Sequence, residues 1–275
     1  MRIIDGRAMR VIYTCFPEGK HKVLTCSYDD GRIEDRRLVS IFNEYGIKAT
    51  FNLNSGIRGD EERIPISEYK ELYKGHEVAC HTALHPTIER CPSTQVLQEI
   101  LEDRRALENA IGYTVRGLAY PNGSVNDRIV SLLPGCGIRH ARTVWSTGNF
   151  SMPQNFLMWN PTCHHNHELI ELANQFKNMK KTQYLYMMYV WGHSYEFTQQ
   201  NNWDTIEDFC KLIGGLDDIW YATNIEIVDY MEAADRMQFS ASGDFVYNPN
   251  AMDVWLEVDK KKVKCKAGQT TFFEE

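Results

Sequence analysis

The chain has 275 residues, with 30 Lys and Arg against 37 Asp and Glu, so its formal net charge of −7 argues against a nucleic-acid partner. Its 43% hydrophobic and 24% charged content is that of an ordinary folded protein rather than a disordered or fibrous one. No run approaches the roughly 18 apolar residues that span a bilayer, which argues against a membrane partner, and one α/β barrel with a small appendage accommodates the length.

Met1 to Asp5 carry an arginine with no apolar stretch behind it, so no secretory signal is read and a cytoplasmic location is expected. Residues 22–28 predict a strand ending in the turn Asp29-Asp30-Gly31. Leu38, Ile41, Phe42 and Tyr45 then fall at helical spacing before a capping Gly46. A strand is expected at Ala49–Leu53, a short helix at 67–73, another strand at Glu77–Cys80, and a long helix from Ser93 or Thr94 to Gly112. Further strands are expected at 115–120, 138–144, 184–191 and 219–222, with helices near 168–179, 205–213 and 224–237. Repeated strand–helix units imply an α/β fold with a parallel sheet, whose strand C-termini gather on one side and host ligands. Beyond Arg236 the pattern changes: Val254, Leu256 and Val258 alternate with polar residues, Lys260 to Lys262 form a turn, and Val263 and Cys265 resume. The expected organisation is a barrel domain over 1–236 and a C-terminal β-hairpin appendage over 237–275, packed on it.

Eight cysteines (Cys15, Cys26, Cys80, Cys91, Cys136, Cys163, Cys210, Cys265) include no C-x-x-C pair. They read as reduced thiols packed as small hydrophobes, in keeping with an intracellular protein.

Three polar segments each follow an expected strand: Ser27-Tyr28-Asp29-Asp30-Gly31, His81-Thr82-Ala83-Leu84-His85-Pro86 and Ala119-Tyr120-Pro121-Asn122-Gly123. One helical turn aims His81 and His85 the same way, which suits imidazole ligation of a divalent metal, and a carboxylate completes a facial triad. Zinc is the first expectation, and cobalt, nickel and iron accept the same donors. Of two adjacent carboxylates, one binds the metal and the other takes a proton from an activated water. His193, in Trp191-Gly192-His193, supplies an acid for the departing amine.

In this order the segments SYDDG, HTALH, AYPNG and WGH resemble the polysaccharide deacetylases, carbohydrate esterase family four, over roughly residues 23–230. The resemblance implies a distorted parallel (β/α) barrel of about seven strands. It implies Asp29 as general base, Asp30, His81 and His85 as metal ligands and His193 as general acid. It also implies that Tyr120, next to Pro121, offers its backbone N–H to the oxyanion. The family's Phe is Tyr28 here, and its Arg two residues before the motif Pro is Ala119. That Arg pairs with the base, and Arg142 is expected to substitute. No Asp lies between Asp127 and Asp204 to orient the acid histidine, so Glu196 is the candidate for that task.

Cys163-His164-His165-Asn166-His167 ranks below the triad as a metal site because its residues crowd one loop, although one of these histidines is a candidate to touch substrate. His21, His76 and His140 read as surface or strand-end residues. Of Trp145, Trp159 and Trp191, which stand near expected strand ends, Trp191 is taken for the pocket wall. The functional expectation is a metal-dependent hydrolase of a non-peptide C–N bond, deacetylating an N-acetylated sugar or related small amide. The alternatives are a ureide or cyclic-imide amidohydrolase on the same scaffold, or a catalytically weak carbohydrate-binding descendant. The sequence sets no oligomeric state.

Overall fold

The computed structural model describes residues 3–4, 7–8, 10–57, 59 and 61–274. Eight barrel strands, numbered along the chain, are β1 (Lys22–Asp29), β2 (Ala49–Leu53), β3 (Glu77–Cys80), β4 (Gly117–Ala119), β5 (His140–Arg142), β6 (Cys163–His164), β7 (Tyr186–His193) and β8 (Ile219–Tyr221). They form one parallel sheet in the order β5-β4-β3-β2-β1-β7-β6, with β8 beside the first half of β1. The fold is therefore a distorted parallel (β/α) barrel. All seven expected strands are present; the two-residue β6, inside the histidine-rich segment, was not foreseen. The β4 ladder is shorter than expected because Pro121, which has no N–H to donate, opens a 3-10 turn one residue beyond Tyr120.

All eight residues of β1 are buried, as parallel strands covered on both faces must be. The period-2 alternation sends Leu24, Cys26 and Tyr28 outward into the core beneath the helices. Val23, Thr25, Ser27 and Asp29 alternate with them on the inner face. On β7, Met188 and Val190 join the outer core, while Met187 and Tyr189 join an inner one with Val23 and Trp159. The column inside the barrel thus runs from apolar at the strand N-termini to Ser27, Asp29, Trp191 and His193 at the C-termini, the rim where the loops carry function.

The inner core continues into the tail through Val254, Leu256, Val258 and Cys265. The hairpin forms from Val254–Val258 and Lys261–Cys265, and Ile12–Cys15 adds a third antiparallel strand from the other end of the chain. Its turn is Asp259-Lys260, both at positive φ, so Lys261 and Lys262 belong to the strand rather than to the expected turn. A second sheet joins Gln238–Phe239, Phe245–Tyr247 and Thr270–Phe272. All eight cysteines are free thiols. No helix among the described residues is long and apolar enough to cross a membrane.

Candidate active site

Asp30, His81 and His85 come from two loops and meet at the C-terminal rim, with one ligand atom of each within 4.8 Å of the others. The His81 and His85 Nε2 atoms are 3.1 Å apart, and His81 Nε2 is 4.0 Å from Asp30 Oδ1. Bonds of about 2.0–2.1 Å at a tetrahedral ion would space neighbouring donors about 3.3 Å apart, so the set fits a divalent metal. The tautomer fits too. His81 Nδ1 lies 2.8 Å from the Ala119 carbonyl, which can only accept, so the proton is on Nδ1 and the lone pair on Nε2 faces the site. Burial lowers the His81 pKa against the pull of Asp29 and Asp30, favouring the neutral ring that a metal needs. The local backbone is strained: Asp30, Thr82 and His85 all have positive φ, a cost often concentrated at functional sites. Asp103, buried on the following helix, holds the loop by accepting the His81 and Ser55 backbone N–H groups.

Asp29 lies beside the triad, its Oδ2 at 3.8 Å from His81 Nε2. Its other neighbours fix it: Asn52 Nδ2 donates to Oδ1 at 2.8 Å, and Arg142 Nη2 donates to Oδ2. Arg142 reaches it from β5, buried at 1% exposure, with Nε on Ser27 Oγ at 3.2 Å and Nη1 on the Thr143 carbonyl at 3.1 Å. Ala119 pairs with Arg142 in the ladder, and its methyl leaves the guanidinium room to cross the barrel. Burial, the largest single influence, would raise the Asp29 carboxyl; the charges of Arg142, His81 and His193 and the Arg142 hydrogen bond together outweigh it and hold the pKa at about 2.

His193 ends β7 opposite Asp29 in the ladder. Its Nδ1 is 3.4 Å from Glu196 Oε1, and the Glu196 Oε2 atom lies 3.1 Å from His164 Nε2 and 3.0 Å from His165 Nε2. Three imidazoles therefore surround one carboxylate. Burial works against charge on His193, but Glu196 and Asp29 prevail and raise its pKa. The Glu196 carboxyl is itself driven far below its usual range by the three rings, despite its burial. His165 is stacked between Tyr28 and Phe197, and burial lowers its pKa to about 4, so it stays neutral. Gly192 is required here, because a β-carbon would occupy the His165 ring.

By distance alone His164, His193 and Glu196 also form a metal-sized group. The tautomer argues otherwise. The Asn166 backbone N–H donates to His164 Nδ1 at 3.2 Å, which places the ring proton on Nε2, facing Glu196. His164 thus turns an N–H toward Glu196, whereas His81 turns a lone pair toward Asp30 and His85.

With this geometry in place, comparison with known proteins is informative. Residues 17–141 match the polysaccharide deacetylase family model. The chain is similar to a chitooligosaccharide deacetylase from Sinorhizobium fredii, 26% identical over 143 residues, which cover 52% of this chain and 60% of the relative. The alignment thus spans less than two thirds of that relative. In fold the chain is similar to a candidate polysaccharide deacetylase from Mycobacterium smegmatis, with TM-score 0.60, 16% identity, and coverage of 80% of this chain and 93% of the other. It is also similar to a carbohydrate esterase family 4 pseudoenzyme from Bacillus anthracis, with TM-score 0.50, 19% identity, and coverage of 79% and 68%.

On this rim Asp29, Asp30, His81, His85, His193 and Arg142 stand together as the sequence suggested, and Glu196 reaches His193. Tyr120 does not fit its expected role. Its backbone N–H donates to the Arg142 carbonyl at 3.0 Å and its hydroxyl to the Leu157 carbonyl at 2.6 Å, so the parallel ladder has consumed the proposed oxyanion donor. Pro121 is buried at the start of the adjoining turn. Trp191 does line a cavity of about 380 Å³ with His164, Glu196 and Gln200, but the Arg142 guanidinium sits 4.4 Å from its ring centroid, so it walls the pocket rather than offering an open stacking face. Trp159 is fully buried and Trp145 half exposed.

Two histidines read as surface or strand-end residues lie inside. His140 is buried against Glu77, with Nε2 2.8 Å from Oε1, and His76 is buried with Nδ1 accepting the Ala49 N–H. Sequence reasoning also passed over Asn52, whose polar side chain in the strand Ala49–Leu53 was the available signal. It passed over Asn54 too, which donates to the His81 and Thr82 carbonyls, and Arg63, whose Nη2 is 3.9 Å from Asp30 Oδ1.

Proposed function

We propose that the chain is a metal-dependent hydrolase that removes acetyl from an N-acetylated sugar. The observation that carries this reading is the convergence on one rim of the Asp30–His81–His85 set, an Asp29 paired to Arg142 and a His193 beside Glu196. A divalent ion held by Asp30, His81 and His85 supplies a Lewis acid for the amide carbonyl and makes water more acidic. Asp29, ionised at every working pH, accepts the proton of the attacking water as its oxygen bonds to the carbonyl carbon. Arg142 and Asn52 keep that carboxylate in a single orientation. His193, protonated through its contact with Glu196, gives its proton to the amide nitrogen as the C–N bond breaks, releasing acetate and a free amine. The sugar class is supported by the name of the Sinorhizobium relative.

The test is to incubate metal-loaded protein with N-acetylhexosamines and their short oligomers and to assay both acetate and ammonia. Acetate release that is lost in Asp29→Asn while bound metal persists is the expected result. Ammonia or a ring-opened acid from ureides or cyclic imides would replace this reading with the other amidohydrolase. Sugar binding without any turnover would make the chain a binding protein.

A further inference from the structure

Asp35 opens the helix Asp35–Glu44, which follows the Asp29-Asp30 turn. An acidic residue in the first turn of a helix is ordinary where water reaches it, because the helix dipole favours negative charge there. Asp35 is instead fully buried, at 0% exposure. Burial raises its pKa to about 7 against two hydrogen bonds that favour the charged form, so the side chain is kept in the core at a cost to folding. Local rules are broken in this way mainly where function requires it. The two bonds show what it joins: Ser194 Oγ donates to Oδ1 at 2.5 Å, and the hydroxyl of Tyr73, at the end of the helix Tyr69–Leu72, donates to Oδ2 at 2.8 Å.

Ser194 is the residue after His193. The ladder between β1 and β7 ends at the pair Asp29–His193, so sheet pairing holds His193 from its N-terminal side only. Beyond it the chain turns at once into the helix Ser194–Gln199, on which Glu196 stands. Glu196 Oε1 lies 3.4 Å from His193 Nδ1, and Glu196 Oε2 accepts the His193 backbone N–H at 3.3 Å, so the seating of this helix sets how carboxylate and imidazole meet. Ser194 is fully buried, and its bond to Asp35 seats the start of the helix against the segment that leaves the Asp29-Asp30 turn. The same two segments touch again where the Arg32 guanidinium lies 5.5 Å from the Tyr195 ring centroid, and that ring packs 5.2 Å from His193.

We propose that Asp35 is a positioning residue for the proton donor: through the Ser194 hydroxyl it locks the strand-to-helix junction after His193 and so holds the imidazole and Glu196 in register with the base on the neighbouring strand. One buried carboxyl thus joins the segment that carries Asp29 and Asp30 to the segment that carries His193 and Glu196. The proposal rests on the deacetylase reading for the reaction it serves, but not for the positioning of His193 itself.

The experiment compares two acetyl donors. Acetate release from an N-acetylglucosamine oligomer needs a proton on the departing amine, whereas para-nitrophenyl acetate loses a phenolate that needs none. In metal-loaded Ser194→Ala, kcat on the oligomer should fall about tenfold with KM unchanged, while turnover of the aryl ester stays within about twofold of wild type. Asp35→Ala should do the same, and Asp35→Asn, whose amide oxygen still accepts from Ser194, should restore most of the loss. The His193 imidazole, followed by NMR across pH, should titrate lower in Ser194→Ala than in wild type as its contact with Glu196 loosens. Equal losses on the two donors, or no loss on either, would overturn the proposal and leave the deacetylase reading standing. If wild type releases no acetate from any amide, the deacetylase reading fails and the NMR titration decides alone: an unmoved His193 overturns the positioning role, and a lowered one upholds it.

Discussion

Two groups of histidines share one rim of this barrel, and a single hydrogen bond on the far side of a ring separates their chemistry. His81 donates from Nδ1 to a carbonyl and so turns a lone pair toward Asp30 and His85; His164 accepts at Nδ1 from a backbone N–H and so turns a proton toward Glu196. Proximity of donor atoms is alike in the two groups. The backbone partner is what makes one a ligand set and the other a clamp on a carboxylate. A third imidazole extends the lesson: His140 at the strand N-termini meets Glu77, which also accepts from Thr50 and the Ile225 N–H and so ties the ring into the sheet. Gly117 makes room for it, since a β-carbon there would strike both His140 and Glu77.

The sharpest way to break this comparison is metal content. His81→Ala should lose the bound divalent ion and roughly a thousandfold or more in turnover, several kcal/mol of barrier. His164→Ala should keep the ion; elemental analysis showing the reverse would mean that the tautomers are misassigned. Next in size, Asp29→Asn should cost about 10²–10⁴-fold in kcat with metal retained. Arg142→Ala should leave the buried Asp29 charge unpaired and lower the unfolding free energy by about 3–5 kcal/mol, read by urea titration. It should also raise the Asp29 pKa.

Glu196→Gln probes the clamp itself. Glu196 raises the His193 pKa against burial, so its removal should move the alkaline loss of activity to lower pH. An unshifted profile would reduce Glu196 to a packing role.

The smallest effect concerns two buried carboxyls behind the site, Asp35 and Asp103, each raised to about 7 by burial. Between their unfolded value near 4 and about 7 the folded state holds the extra protons, so their contribution makes stability fall as pH rises through that window. Asp29, with its depressed pKa, acts in the opposite sense, and its contribution is lost only as pH falls toward about 2. Asp35→Asn should flatten the decline in urea midpoint between pH 5 and 8.

Much of the barrel was legible because strand and helix periods are local: Ala49–Leu53 and Glu77–Cys80 were placed to the residue. The site residues were legible where chemistry-bearing types follow a strand end, as at Asp29-Asp30 and His193. His76 and His140 do stand at strand ends, but their burial, like the role of Tyr120, was not legible for one reason. Each depends on a neighbour brought by the sheet, namely Ala49, Glu77 and Arg142, and strand pairing consumed or buried the polar groups in question.

The amino-acid order by itself determined the alternation of strands and helices and the two carboxylates at one turn, since these follow from backbone geometry over a few residues; the expected helical turn from His81 to His85 is instead a loop with Thr82 and His85 at positive φ. Tertiary structure alone decided that His81 holds its proton on Nδ1, against the Ala119 carbonyl. It also joined Ile12–Cys15 to the hairpin at the far end of the chain. Both outcomes depend on which backbone group arrives from a distant segment, and such arrivals are set by the register of strand pairing rather than by any local pattern.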